Sequence, residues 1–283
     1  MEKYIFSRHS KKPDKDNPES AKYPGLSEAG VEQARKEKAA ELKRIIDEAP
    51  EKALVFIGAV SELIRTHSTA RLYAEGLKEL YGEEGDVVVL TKEDVDLIRK
   101  GKRSNSLSKG IEELAEFINN DENKNKKIVL ANPFFIKQFS LLKRWPDEYY
   151  DYLEEKYGDD EIGFMKEWFE TKGDPGIKGL KGPNPDKIAE EYLFGLERLK
   201  EVVKKYLKDR PIVMTSTSHA PDLDAVIIKL INGEVSPEAI NSIMGKEFLG
   251  TNEGADVTIE GNKMQINFRG KAYEVEASKK NSK

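Results

Sequence analysis

Three histidines and no cysteine stand among the 283 residues of this sequence. Without a thiol there is no disulfide framework, thiolate metal site, iron–sulfur cluster or cysteine nucleophile, so covalent catalysis is expected to run through imidazole. The placement of the histidines narrows this further. Arg8-His9 ends the apolar run Tyr4-Ile5-Phe6, His219 ends Ile212-Val213-Met214-Thr215-Ser216-Thr217-Ser218, and Arg65 falls just after the apolar run Ala53–Ile57. Two guanidinium forks, two imidazoles and a helix N-terminus are what a phosphate dianion needs: charged donors, further nitrogen groups and free backbone N–H. An imidazole held there can attack phosphorus. Taken singly, a histidine is more often structural and an arginine more often solvated, and it is their shared position at strand ends that carries the reading.

The elements that must position these groups follow from hydrophobic pattern. Tyr4-Ile5-Phe6 reads as a first strand emptying into a polar loop over 11–24. Ser27 is placed to cap the next helix, whose apolar positions Val31, Ala34, Leu42, Ile45 and Ile46 form one face, and which ends before Pro50. Residues 53–57 and 87–90 are continuous apolar runs of the kind that suit strands covered on both faces. Between them a helix carries Leu63, Ile64, Leu72, Leu77 and Leu80 and closes at Gly82. A helix over 111–118, a strand over 128–131 running into Asn132-Pro133-Phe134-Phe135, a long helix over 186–208, the strand from Ile212 and a helix over 221–231 complete the layered order. The predicted fold is a three-layer α/β/α sandwich around a mostly parallel sheet. In such sheets ligands bind beyond the carboxyl ends of the strands.

At these positions the chain resembles a known family. Ser7-Arg8-His9-Ser10 is similar to the Arg-His-Gly signature of the histidine phosphatase (phosphoglycerate mutase-like) superfamily. Leu26-Ser27-Glu28-Ala29-Gly30-Val31-Glu32-Gln33-Ala34 resembles its Leu-Thr-x-x-Gly-x-x-Gln-Ala helix, and Ser61 to Ala70 its Ser-x-Leu-x-Arg-x-x-x-Thr-Ala segment. Ile212 to His219 is similar to the strand that delivers its second histidine. The resemblance implies hydrolysis of a phosphomonoester through phospho-His9, with Arg8 and Arg65 binding the phosphoryl oxygens and His219 completing the pocket. No cofactor or metal is implied. A phosphorylated small molecule or a phosphopeptide would be the substrate. Phosphoglycerate-mutase-type transfer ranks lower, because the loop after His9 lacks the mutase-like Ser and Asn pattern. A phospholigand-binding module that has lost turnover is the rival of a different class.

Two departures bear on activity. Ser10 replaces the family's glycine, where a side chain would crowd the phosphate or restrict the backbone. Ala220 follows His219, so the His-Asp pair of the family's acid phosphatase and phytase branch is absent; in the other branch the acid follows the third strand, which leaves it open among Glu93, Asp94 and, as a third candidate, Asp222. His67 falls on a variable position of the motif and is read as structural. Lys11, Lys12 and Lys15 either extend the positive pocket or belong to a solvated loop, the latter being favoured.

Composition bounds the rest. With 47 basic and 52 acidic residues the formal charge is −5, which argues against a nucleic-acid binder, and no stretch is long and apolar enough to anchor the chain in a membrane. A cytoplasmic location is the expectation, while nothing fixes the oligomeric state. The chain reads as one domain over 1–283, with a helical cap inserted at 145–185 and an antiparallel extension at 255–276. In the cap, Trp145, Tyr149, Tyr150 and Trp168 either line an entrance or anchor a helical pair to the core, the second being favoured. The last residues, SKKNSK, are expected to fray.

Overall fold

A computed structural model of the chain describes residues 2–61, 63–82, 85–99, 107–131, 145–208, 210–245 and 247–276. Asn132-Pro133-Phe134-Phe135 and the SKKNSK terminus lie outside these. Eight strands form one sheet: β1 (Glu2–Arg8), β2 (Leu54–Ala59), β3 (Val87–Leu90), β4 (Lys127–Ala131), β5 (Ile212–Ser218), β6 (Gly254–Glu260), β7 (Lys263–Phe268) and β8 (Lys271–Glu276), in the order β3-β4-β2-β5-β1-β6-β7-β8. The first five in this order are parallel and the last three antiparallel. This is the expected α/β sheet, parallel through its centre.

The central parallel strands β1, β2, β4 and β5 are buried on both faces, and the period of two divides them between two cores. Ile5, Val55, Ile57, Val129 and Val213 pack with Leu42, Ile46, Leu72 and Tyr73 on one side. Tyr4, Phe6, Leu54, Phe56, Leu130 and Met214 pack with Leu199, Val203, Leu223 and Ile227 on the other. The first side is covered by α1 (Glu28–Glu32), which passes through a π-helical segment (Gln33–Lys38) into α2 (Ala39–Glu48), and by α3 (Ile64–Tyr81). The second is covered by α5 (Leu107–Asn119), α8 (Pro185–Tyr206) and α9 (Ala220–Asn232), with α6 (Asp147–Tyr157) and α7 (Glu161–Thr171) beyond them.

Two short helices, α4 (Lys92–Ile98) and α10 (Pro237–Ile243), add to the expected order. Of the apolar residues read on α3, Leu72 and Leu77 are buried with Thr66, Thr69 and Tyr73, whereas Ile64 and Leu80 are 55% and 46% exposed. The C-terminal meander continues the main sheet, because β6 pairs with β1 from Glu2↔Ile259 to Ser7↔Gly254. Without it β1 would expose a row of unpaired backbone groups. Gly254 is required by this pairing, since a Cβ there would stand 1.5 Å from the Phe6 carbonyl oxygen. No helix among the described residues is long and apolar enough to cross a membrane.

Candidate active site

The carboxyl ends of β2, β5 and β1 lie side by side, and each delivers a polar residue to the same edge. Arg8 is in register with Ser218, and the His9 amide donates to the Ser218 carbonyl at 3.0 Å, so the two strands release His9 and His219 together. Their ring centroids are 5.1 Å apart at 63°. On the other side the Val60 amide donates to Thr217 O at 2.9 Å, which places Ser61 beside His219. Ser61 Oγ and His219 Nε2 are 2.7 Å apart. Arg65, in the first turn of α3, reaches both imidazoles: its Nε donates to His9 Nε2 at 3.0 Å, and Nη2 lies 3.3 Å from His219 Nδ1. Arg8 donates through Nη1 to the Leu249 carbonyl. The four residues singled out in the sequence thus line one cavity of about 580 Å³.

The loop after His9 explains why the motif residues are needed. His9 Nδ1 is 2.7 Å from the Ser10 carbonyl oxygen, so Nδ1 carries the proton and donates, and Nε2 keeps its lone pair toward the cavity. Ser10 N donates to Thr69 Oγ1 at 3.0 Å, and that hydroxyl donates to Arg65 O at 2.8 Å, coupling the nucleophile loop to the helix that bears Arg65. Ser27 caps α1 through Gly30 N, while its own amide donates to Lys11 O. A Cβ on Gly30 would approach that Lys11 oxygen to 2.4 Å, so only glycine lets the helix sit so close. Ser10 does not crowd the pocket. Its side chain points away and is buried, donating to Gly30 O at 2.7 Å and accepting from Asn252 Nδ2 at 3.0 Å.

Electrostatics follow from burial among cations. The His9 imidazole is pushed down to about 3, first by desolvation and then by Arg65, Arg8 and Lys12, against the Ser10 carbonyl that favours its charged form. His219 is held well below its ordinary value by desolvation, His9 and the same arginines. Both rings are therefore neutral near pH 7. Asp222 moves the opposite way. It is 5% exposed, in the first turn of α9, and lines the cavity; burial pushes its carboxyl up to about 6, and Trp145 Nε1 donates to Oδ1 at 3.0 Å.

Of the three acid candidates, only Asp222 faces the cavity. Asp94 closes a capping box with Thr91 at the start of α4 and pairs with Lys78 at 2.7 Å, which lowers its carboxyl. Glu93 pairs with Arg71 at 3.2 Å. Lys12 lines the cavity, whereas Lys11 pairs with Asp14 at 3.5 Å and Lys15 is exposed outside the lining. His67 is half-buried on α3 and does not line the cavity. The aromatic residues divide: Trp145 and Tyr150 line the cavity, while Tyr149 and Trp168 are fully buried anchors.

Sequence reasoning missed the stretch 248–253. Leu249 accepts from Arg8, Asn252 binds Ser10 and accepts from Tyr73 Oη at 2.8 Å, and Glu253 O accepts from the Arg8 amide at 2.8 Å. Asp224, fully buried beneath it, accepts from Leu249 N at 3.3 Å, and its carboxyl is raised well above the ordinary value by desolvation. The only sequence signal here was Gly250 and Gly254 flanking polar residues ahead of a strand.

No protein-family model and no curated protein matches the chain. Among solved structures it is similar to a mycobacterial glucosyl-3-phosphoglycerate phosphatase complexed with VO3, at 12% identity over 95% of this chain and 98% of that one, TM-score 0.46. It is also similar to a phosphoglycerate mutase from Bacillus anthracis, at 11% identity over 97% and 92%, TM-score 0.44. A third is a phosphoserine phosphatase from Entamoeba histolytica in complex with 3-phosphoglyceric acid, at 15% identity over 98% and 96%, TM-score 0.39. Two of the three are phosphatases by name and one is a phosphoglycerate mutase.

Proposed function

We propose that the protein is a phosphomonoesterase that passes the phosphoryl group through His9. One observation carries this reading. The His9 imidazole is fixed as the Nδ1–H tautomer by the Ser10 carbonyl, and its Nε2 faces the cavity floor between Arg65 and His219. A phosphate drawn to Arg8 and Arg65 takes the Arg65 N–H groups for its oxygens and leaves the Nε2 lone pair facing phosphorus. Nε2 then forms the N–P bond as the bond to the leaving oxygen breaks, and that oxygen takes the proton of Asp222. Water next attacks phosphorus, gives its proton back to the Asp222 carboxylate, and releases phosphate with His9 restored. The contribution of the chain is positioning and charge stabilisation by groups already in place. In this reading residues 145–185 act as a cap within a single domain, bringing Trp145 onto Asp222.

Hydrolysis of 4-nitrophenyl phosphate and an acid-labile, base-stable phosphoryl adduct are expected in the parent, and both are expected to vanish in His9→Ala. A variant that turns over as fast as the parent would sink the proposal. Vanadate or phosphate binding by the parent with no trapped adduct would instead make it a phospholigand-binding module.

A further inference from the structure

The cavity has two poles. Arg8 and Arg65 stand beside the buried His9 on its floor, while Glu154, Asp159 and Glu161, from the end of α6 to the start of α7, line it with the first two exposed on its rim, where the exposed Lys12 is the one other cation among the described lining residues. Glu154 and Asp159 have no ion-pair partner among the described residues. Tyr150 lies between the poles: its phenol is raised first by burial and then by Glu154, and lowered by Arg65 and Arg8. Three rings wall the space beside it. Trp145 and Tyr150 have centroids 6.3 Å apart at 77°, Tyr150 and Phe164 5.7 Å at 62°, and Trp145 and Phe164 5.9 Å at 29°. The indole N–H is committed to Asp222, which fixes the Trp145 ring. Asp222 marks where the leaving oxygen lies, and so sets the leaving group beside these rings. It is more than nine-tenths buried and lines the cavity, and only Oδ1 has a hydrogen-bond partner among the described residues.

We propose that this site takes phosphomonoesters whose leaving alcohol carries an organic ammonium group, the phosphate lying on the arginine and histidine floor and the cation between the aromatic rings and the rim carboxylates. The proposal rests on the phosphomonoesterase reading above and names its substrate class. Aromatic faces attract ammonium through their quadrupoles, and carboxylates add a field of the same sense. An anionic leaving group, such as a glycerate, would set its carboxylate against the rim, which selects against it.

The test compares the full-length protein on O-phosphocholine, on its neutral isostere 3,3-dimethylbutyl phosphate and on 3-phosphoglycerate, with 4-nitrophenyl phosphate reporting basal phosphomonoesterase activity. The expected kcat/KM is about tenfold higher for phosphocholine than for the isostere at low salt, and the ratio shrinks as salt screens the rim. The Glu154→Gln/Asp159→Asn double variant is expected to bring the ratio toward one. Equal rates on the two isosteres, or a preference for 3-phosphoglycerate, while 4-nitrophenyl phosphate is still hydrolysed, would overturn the substrate class and leave the phosphomonoesterase reading intact. If nothing is hydrolysed, that reading fails instead. The cation preference is then read from calorimetric binding of phosphocholine against the isostere, where equal affinities overturn it and tighter phosphocholine binding supports it.

Discussion

Replacing Asp222 by Asn should raise stability and remove proton transfer together. The folded chain holds the Asp222 proton up to about pH 6, whereas the ordinary carboxyl releases it near 3.8. Between these values the folded state binds more protons than the unfolded one, so stability falls as pH rises through this window. The fall totals about 3 kcal/mol at one pKa unit per 1.36 kcal/mol. The contribution is fully present below about pH 4 and gone above about pH 6. Asn carries no proton to lose and retains an oxygen for Trp145 Nε1, so Asp222→Asn should match the parent near about pH 4. At about pH 7.5 it should exceed the parent by about 3 kcal/mol, a melting shift of about 6 °C or more. Urea unfolding at the two pH values measures this directly. Activity should move the other way. Loss of a general acid costs on the order of a hundredfold to ten-thousandfold on alkyl phosphates, whose leaving oxygens need the proton, and much less on 4-nitrophenyl phosphate. For alkyl substrates the parent should also lose rate above about pH 6, a limb absent from 4-nitrophenyl phosphate, although both substrates carry the same phosphate ionisation. Equal losses on both substrates, or a stability gain that does not depend on pH, would refute the assignment of Asp222 as the buried acid.

Three further outcomes are expected. Ser10→Ala removes a bond to Gly30 O, which keeps the Gln33 amide, and the acceptor of Asn252 Nδ2, and should cost about 2 kcal/mol in urea unfolding by leaving the Asn252 amide unpaired. Gly30→Ala drives a Cβ toward the Lys11 carbonyl, and should lower kcat on 4-nitrophenyl phosphate about tenfold or more by shifting the loop that orients His9. Arg210, buried under the sheet with its pKa lowered by desolvation, donates to the carbonyls of Lys52, Lys126, Ile118 and Asn123. Arg210→Ala should cost about 3 kcal/mol or more without altering the pH profile of turnover.

What the sequence makes legible is local. Continuous apolar runs of four to six residues bounded by turn residues suit strands covered on both faces, and the polar residues that end such strands emerge at a sheet edge. That suffices to bring Arg8, His9 and His219 together once the strands are taken as parallel. The spacing of Ser61 and Arg65 places both on the turn into α3, and the structure sets both against the His219 imidazole, with Arg65 also reaching His9. What stays hidden depends on side-chain bonds between distant segments. The stretch that holds Arg8 and Ser10 comes from 248–253, more than 240 residues later, and its polar residues carry no periodicity to advertise them. The orientation of Ser10 was equally unreadable, because whether a hydroxyl crowds a phosphate depends on which acceptor it finds, here Gly30 O.

The choice among acids shows the same division in sharper form. Glu93 and Asp94 are candidates by analogy of position, since they follow the third strand. Position after a strand does not determine direction, however, once a helix begins. Thr91 starts α4 at once, and its capping box consumes Asp94, while Arg71 of α3 takes Glu93. Asp222 sits in the first turn of the helix that starts from His219, so the strand end that places one catalytic candidate also places the other. Two such groups in one cavity, an imidazole pushed down to about 3 and a carboxyl pushed up to about 6, occupy near pH 5 the protonation states a nucleophile and an acid need. The cations of the floor account for the first and a dry wall under Trp145 for the second. The net charge of −5 describes neither, because it sums exposed side chains, whereas His9 and Asp222 are set by the buried groups around them.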